Sequence, residues 1–325
     1  MSIILTGGAG FIGSTLSEKL LSSGKRVVVI DNFDTFYDPE IKRRNVETAS
    51  SHDNYELVEG DIRSTEDLDR CLELAGGPQE CEGVIHLAAR AGVRASIADP
   101  ILATDINVRG LVDILEFVKN NELPKLVFAS SSSVYGERGG QLLVETDPTD
   151  HPISPYAATK KSGENICWTY NYLCHFPISC LRFFTVYGPR QRPEMAIHYF
   201  TRLIDEGEEI PVFGDGTAQR DFTFVEDTVH GIIQSFEHAD GFNIYNLGRG
   251  EAVTVNEMIE AIEESLGKKA RINRLEAHPG DVSSTLADIS RAREDIGYAP
   301  QTPFKKGVER FVEWYTESRS LERGA

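Results

Sequence analysis

The segment Tyr156-Ala157-Ala158-Thr159-Lys160 sets a phenol and an ammonium at a spacing that can do acid–base chemistry. On a helix, residues four apart share one face, one turn apart. A free phenol titrates near pH ~10 and is a poor base at neutral pH. A cation one turn away favours the phenolate and lowers that pKa, so Tyr156 beside Lys160 can serve as a general base. The pattern is short, and alone it is more commonly a surface tyrosine next to a solvated lysine. The elements before and after it reverse that balance.

Ser2 to Thr6 is an apolar run that reads as a buried strand. It leads into Gly7-Gly8-Ala9-Gly10-Phe11-Ile12-Gly13 and then a helical pattern to about Ser23. Gly8, Gly10 and Gly13 complete G-x-G-x-x-G in strand–turn–helix context. Such glycines let the backbone turn tightly, meet a pyrophosphate and aim helix N–H groups at it. Gly7, Gly10, Phe11, Ile12 and Gly13 are therefore expected to hold a dinucleotide.

The second strand, Arg26 to Ile30, ends at Asp31. A carboxylate there can accept both ribose hydroxyls and would repel a 2′-phosphate, which favours NAD over NADP. Asn32 and Phe33 are expected to line the same pocket. The cluster Lys42-Arg43-Arg44 fits a solvated helix face or a place near the cofactor phosphates equally well. A third strand, Tyr55 to Val58, precedes Asp61, an acceptor for the adenine amino group, and Ile62, which can pack on the ring.

A fourth strand, Gly83 to His86, runs into Leu87-Ala88-Ala89-Arg90, where small residues let a ligand approach the backbone. Residues Asp99 to Lys119 read as one long helix, with Asn107 a structural residue within it. The fifth strand, Lys125 to Ala129, opens into Ser130-Ser131-Ser132-Ser133-Val134-Tyr135-Gly136, which offers hydroxyls or a polar turn. The opening segment sits on a helix from about Ser154 to Cys174. The sixth strand, Ile178 to Arg182, is followed by Phe183, Thr185, Arg190 and Arg192.

Each strand is followed by a helical segment, which implies a parallel sheet, and each unusual cluster falls just after a strand. In doubly wound sheets ligands bind outside the carboxyl ends of strands, so these clusters should meet in one crevice. The fold expected is α/β: a Rossmann-like doubly wound parallel sheet over residues 1–190, and a smaller, partly interleaved substrate lobe over 191–325. Asn243 to Asn246 are expected to return to the sheet. Thr254 with Glu257 reads as a capping box for a helix to Leu266.

The 325 residues are 40% hydrophobic and 26% charged, enough for one large or two medium domains. The formal net charge of −18 argues against non-specific binding to nucleic acid or membrane. No apolar run is long enough to span a bilayer, and a strand from Ser2 leaves no room for a signal peptide. The five cysteines form no C-x-x-C and read as reduced thiols of a cytoplasmic protein. The eight histidines have no metal-ligand spacing, so no metal site is expected.

With these motifs in order, the chain resembles the extended short-chain dehydrogenase/reductase family along nearly its whole length. Within it, the chain is similar to the nucleotide-sugar 4-epimerases, above all those acting on UDP-glucuronate. The resemblance implies a Ser–Tyr–Lys triad at Ser131, Tyr156 and Lys160. It implies NAD contacts at the residues named above and at Phe183, and nucleotide-sugar contacts at Phe213, Arg220 and Asp281. It also implies a homodimer joined through helices near Asp99–Lys119 and Ser154–Cys174.

Related dehydratases carry Asp-Glu, and UDP-xylose-forming decarboxylases a Glu, just before Val-Tyr-Gly. This chain has Ser132 and Ser133 there, which removes the acids those outcomes use. Thr185 stands where galactose-type epimerases carry Asn, and His278 where they carry an Arg near the diphosphate. Ser132, Ser133 and Thr185 could bond a sugar carboxylate, with Arg192 supplying charge and Arg94 a weaker candidate. The implied activity is an NAD-dependent isomerase converting UDP-glucuronate to UDP-galacturonate through a 4-keto intermediate. UDP-glucose or UDP-N-acetylglucosamine epimerisation, decarboxylation or dehydration, and net oxidoreduction stay open. A non-enzymatic NAD-binding protein on this fold would be expected to have a damaged triad.

Overall fold

The computed structural model describes residues 1–276 and 284–324, the side chains of 321–324 apart. Seven strands form its central sheet: β1 (Ser2–Thr6), β2 (Arg26–Asp31), β3 (Tyr55–Glu59), β4 (Cys81–His86), β5 (Leu126–Ser131), β6 (Ile178–Phe183) and β7 (Phe242–Leu247). Their order is β7-β6-β5-β4-β1-β2-β3, and every pairing is parallel. The fold is therefore the expected Rossmann-like α/β class.

Helices cover both faces, so β1, β2 and β5 are buried almost throughout and read as continuous apolar runs. Alternation still sorts their side chains. Ile3, Leu5, Val27 and Val29 enter the core on one face, and Ile4, Val28 and Ile30 the core on the other. The strand order reverses between β1 and β4, which opens a crevice at their carboxyl ends.

The expected long helix from Asp99 is broken. Pro100–Thr104 and Gly110–Asn120 are α-helical, but Asp105–Arg109 between them widens into a π turn. Periodicity did not show this because an inserted turn leaves the apolar face intact on both sides. The wider turn holds Asn107 against the loop after β4. Its Oδ1 accepts the Arg90 N–H at 2.7 Å, and its Nδ2 donates to the Arg90 carbonyl at 3.1 Å and to Thr159 Oγ1 at 3.0 Å.

After β6 the chain builds a three-stranded sheet from Thr185–Tyr187, Gln219–Phe224 and Ala252–Thr254. A second small ladder joins Glu209–Phe213 to Arg271–Leu275. The capping box of Thr254 and Glu257 forms as the spacing indicates. Buried Asp221 accepts the N–H groups of Arg249, Gly250 and Ala287 and so knots this region together. Between these pieces the chain returns to the central sheet as β7, pairing with β6.

Candidate active site

Close approach dictates the first turn. Gly7 has φ 71°, and a Cβ there would meet the Ala88 nitrogen at 2.8 Å. A Cβ on Gly13 would meet the Gly7 carbonyl oxygen at 2.3 Å. The helix that follows, α1 (Phe11–Ser22), begins at Gly10 with no side-chain cap and no acid in its first turn. Its orphan N–H groups and dipole suit an anion such as a pyrophosphate.

A cavity of about 510 Å³ lies along the strand ends. It is lined by Gly7, Gly10, Phe11, Ile12, Gly13, Asp31, Asn32, Asp61, Ile62, Leu87, Ala88, Ala89 and Phe183. Ser131, Ser132, Ser133, Tyr156, Lys160, Thr185 and Arg192 complete its wall. These sequence-derived candidates thus meet in one place.

Four candidates lie elsewhere. Phe33 is buried with a left-handed φ of 50°, and its ring carries the Arg43 guanidinium at 4.6 Å instead of facing the cavity. Asp31 Oδ1 accepts the Phe33 N–H at 2.9 Å, and this tight turn swings the ring into the core. Phe213 ends the strand Glu209–Phe213, outside the cavity wall. Arg220 also stands off it, with Nη1 donating to the Gln219 carbonyl at 2.7 Å. Arg94 is exposed and off the wall. Asp281 and His278 lie outside the described residues.

At the cofactor end, Asp31 Oδ2 accepts the Ala9 N–H at 3.1 Å, and Lys42 Nζ lies 3.3 Å from Oδ1. Lys42 is thus the member of the basic cluster that reaches the cavity, whereas Arg43 pairs with Glu59. Asp61 is gripped by the Arg63 guanidinium through both carboxylate oxygens, which holds its pKa down at about 2. Two carboxylates at adjacent strand ends, facing an uncapped helix start, fit a dinucleotide with free ribose hydroxyls.

At the other end, the helix Pro155–Cys174 carries Tyr156 and Lys160. Ser154 caps it by accepting the Ala157 N–H at 3.1 Å, and Ser96 Oγ accepts the Tyr156 N–H at 2.9 Å. Lys160 Nζ donates to the Ala129 carbonyl at 2.7 Å and lies 5.9 Å from the centre of the Tyr156 ring. Burial lowers the Lys160 pKa to about 8.

The Tyr156 electrostatics correct one expectation. Burial raises its pKa, and the groups that pull it down are the Ser131 hydroxyl, hydrogen-bonded to the phenol, and the charge of Arg192. Lys160 donates to the Ala129 carbonyl and is not among the groups that lower it. Ser131 Oγ also accepts from Ser133 Oγ at 2.9 Å and from the Ser133 N–H at 3.2 Å, which fixes the serine turn.

Sequence reasoning missed Asp34, Phe36, Tyr37 and Met195, which share the wall, and gave Arg90 no role. Only an aromatic pair in a polar loop hinted at the first group.

Behind Lys160 lies His86, which is 2% exposed, bonded through Nδ1 to Thr6 Oγ1 at 2.7 Å and stacked on Phe128. Burial first, then the Lys160 charge, depresses its pKa to about 3. The unfolded chain, with histidine near ~6.5, therefore takes up the proton first as the pH falls. The stability contribution of neutral His86 is present above the unfolded value and is lost as pH falls toward the folded one. Unfolding free energy in urea is expected to drop by about 1.5–2 kcal/mol between pH ~6.5 and pH ~5 from this group. His86→Gln should flatten that slope; an unchanged slope would show that His86 accepts its proton in the fold.

Comparison with known proteins agrees with this geometry. The GDP-mannose 4,6-dehydratase family matches residues 4–311. A UDP-glucuronate 4-epimerase of Thermodesulfobacterium geofontis is 40% identical over 319 residues, covering 98% of this chain and 97% of that one. The UDP-glucuronic acid 4-epimerase of Bacillus cereus, solved with UDP-glucuronic acid and NAD, superposes with a TM-score of 0.90 at 36% identity, covering 98% of this chain and 100% of that one. The UDP-glucose 4-epimerase of Thermotoga maritima, solved with UDP-glucose, gives 0.88 at 30% identity, covering 98% and 100%. The chain belongs to the GDP-mannose 4,6-dehydratase family of short-chain dehydrogenase/reductase proteins, among its nucleotide-sugar 4-epimerases.

Proposed function

We propose that the protein interconverts UDP-glucuronate and UDP-galacturonate, with tightly bound NAD. The observation that carries the choice of substrate is the sugar end of the cavity. There Ser132, Ser133, Thr185 and Arg192 surround the Tyr156–Ser131 pair with hydroxyls and a cation. A carboxylate suits that set, and the acids that dehydration or decarboxylation would use are replaced by serines.

The uncapped start of α1 holds the pyrophosphate of NAD, Asp31 the adenosine ribose, and Asp61 with Ile62 the adenine. NAD supplies a hydride acceptor for sugar C4 and returns the hydride afterwards. Tyr156 takes the proton of the C4 hydroxyl, and Ser131 bonds the C4 oxygen and shuttles its proton. Lys160, pinned by the Ala129 carbonyl, keeps a positive field beside the reacting centre. On re-reduction Tyr156 gives the proton back. In between, the 4-keto sugar turns over about its diphosphate link. The nucleotide end is assigned to Phe213, Arg220 and Asp281 by family resemblance.

The 4-keto form of glucuronate is a β-keto acid and tends to lose CO₂. Ser132, Ser133, Thr185 and Arg192 suppress that loss by holding the carboxylate so that its C–C bond is poorly aligned with the carbonyl π orbitals. Incubation with UDP-glucuronate, UDP-glucose and UDP-N-acetylglucosamine in parallel tests this reading. UDP-galacturonate should form from UDP-glucuronate without added NADH. No interconversion, or UDP-pentoses as the main product, would sink it.

The remaining assignments rest on surface and composition. Exposed Ile97 and Ile101 lie on the helices before the π turn, and Trp168, Tyr172 and Leu173 lie on the Tyr156 helix. They favour a homodimer through these helices. Five cysteines without a disulfide suit the cytoplasm, and no described helix is long and apolar enough to cross a membrane. The substrate lobe is placed after about residue 190, with β7 belonging to the cofactor lobe.

A further inference from the structure

We propose that Phe36 is a positioning residue that fixes the Arg192 guanidinium for the substrate carboxylate. The proposal rests on the reading of the substrate as a sugar acid. Two guanidinium groups lie over the Phe36 ring, Arg90 at 4.5 Å and Arg192 at 5.3 Å from its centre. All three residues line the cavity.

One side of this stack is rigid. Asn107 binds both the N–H and the carbonyl of Arg90, and the Arg90 guanidinium pairs with Asp34. Asp34 Oδ1 also accepts the Phe36 N–H at 2.8 Å, and Asn32 Oδ1 accepts the Asp34 N–H at 3.1 Å. The loop after β2 and the loop after β4 are thereby joined, and Phe36 is presented from that joint to Arg192. Arg192 also pairs with Glu194, which is 3.2 Å from Nε and half exposed.

An aromatic face holds a guanidinium plane without consuming its N–H donors or its charge. An acid in the same place would consume both. Phe36 therefore orders Arg192 without taking a donor, and with Nε turned to Glu194 the two Nη groups are left for a carboxylate, which accepts them in a planar fork. Arg192 also lowers the Tyr156 pKa, and Phe36, Arg192 and Tyr156 line the same cavity. The same short loop begins at Asp31 and Asn32, so one segment spans the cavity from the cofactor ribose to the sugar.

The test compares UDP-glucuronate with UDP-glucose, by KM where each turns over and by calorimetric binding to the NAD-loaded protein. Phe36→Leu should weaken UDP-glucuronate about tenfold and UDP-glucose less than about twofold, with kcat for the acid falling less than its KM rises. Phe36→Tyr should restore the preference. In an Arg192→Lys background, which keeps the charge and loses the planar stack, Phe36→Leu should add less than about twofold. Bound NAD, measured after acid release, should be unchanged. If the unaltered protein does not prefer UDP-glucuronate, the substrate reading has failed and this proposal falls with it. If it does, but Phe36→Leu keeps the preference, weakens both sugars alike, loses NAD or acts fully in the Arg192→Lys background, Phe36 alone is wrong.

Discussion

Tyr156→Phe is expected to cut turnover by about 10³-fold while NAD stays bound. The substitution removes one oxygen at the wall of the cavity and leaves the N-cap at Ser154, the Lys160–Ala129 contact and the glycine turn in place. Without the phenol the neighbouring Ser131 is a poor substitute as base, because it is itself a hydroxyl with a high pKa. Turnover in the unaltered protein should rise with pH, since burial makes the reactive phenolate a minority form. Arg192→Gln should move that rise to higher pH by removing a lowering charge. Initial rates with UDP-glucuronate and nucleotide released by acid check both points. Residual turnover within about tenfold of the unaltered enzyme would reject Tyr156 as the base.

The second large effect is on folding. Glu164, on the Tyr156 helix, and Arg182, on β6, are each 1% exposed. Arg182 Nε donates to Glu164 Oε1 at 2.8 Å and Nη2 to Oε2 at 2.9 Å, a bidentate pair. Ser130 Oγ donates to the same Oε1 at 2.7 Å, and the Arg182 guanidinium lies 4.7 Å from the centre of the Tyr135 ring. Glu164→Gln strands the buried guanidinium and should cost about 3–5 kcal/mol in urea unfolding. Replacing both partners by apolar residues, Glu164→Leu with Arg182→Met, should cost less than the single change. A single variant that unfolds at the original urea concentration would show that this pair is not a keystone.

These two networks explain why much of the site is legible in the sequence. Ser130 and Ser131 are neighbours on β5, so the strand turns one toward Glu164 and the other toward the cavity. Strand ends place Asp31, Asp61, Ala88, Ser131 and Thr185 at one edge, and helical spacing places Tyr156 and Lys160 together. Period and position carry that information. Contacts between loops do not. Phe36 and Arg90 lie more than fifty residues apart on irregular segments, and only the folded chain stacks them. Phe33 misled because a left-handed turn reverses a side chain that simple adjacency to Asp31 would have aimed at the ligand. The pKa of Tyr156 misled because spacing gives proximity, while a neighbouring carbonyl decides where an ammonium points.

The return of β7 to the sheet bears on how the protein comes off the ribosome. β6 is buried along nearly its whole length, yet its outer edge is covered only when Phe242–Leu247 arrives. Until then Ile178 to Phe183 is a largely buried strand with open backbone donors and acceptors, the kind of edge that recruits other chains. Ser131, Tyr156 and Lys160 have all been synthesised by that point, but the sheet that holds Ser131 in place is unfinished. Nascent chains therefore need shielding while the segment between β6 and β7 is made, and a chain cut after residue 190 keeps Ser131, Tyr156 and Lys160, loses Arg192 and exposes a template for aggregation.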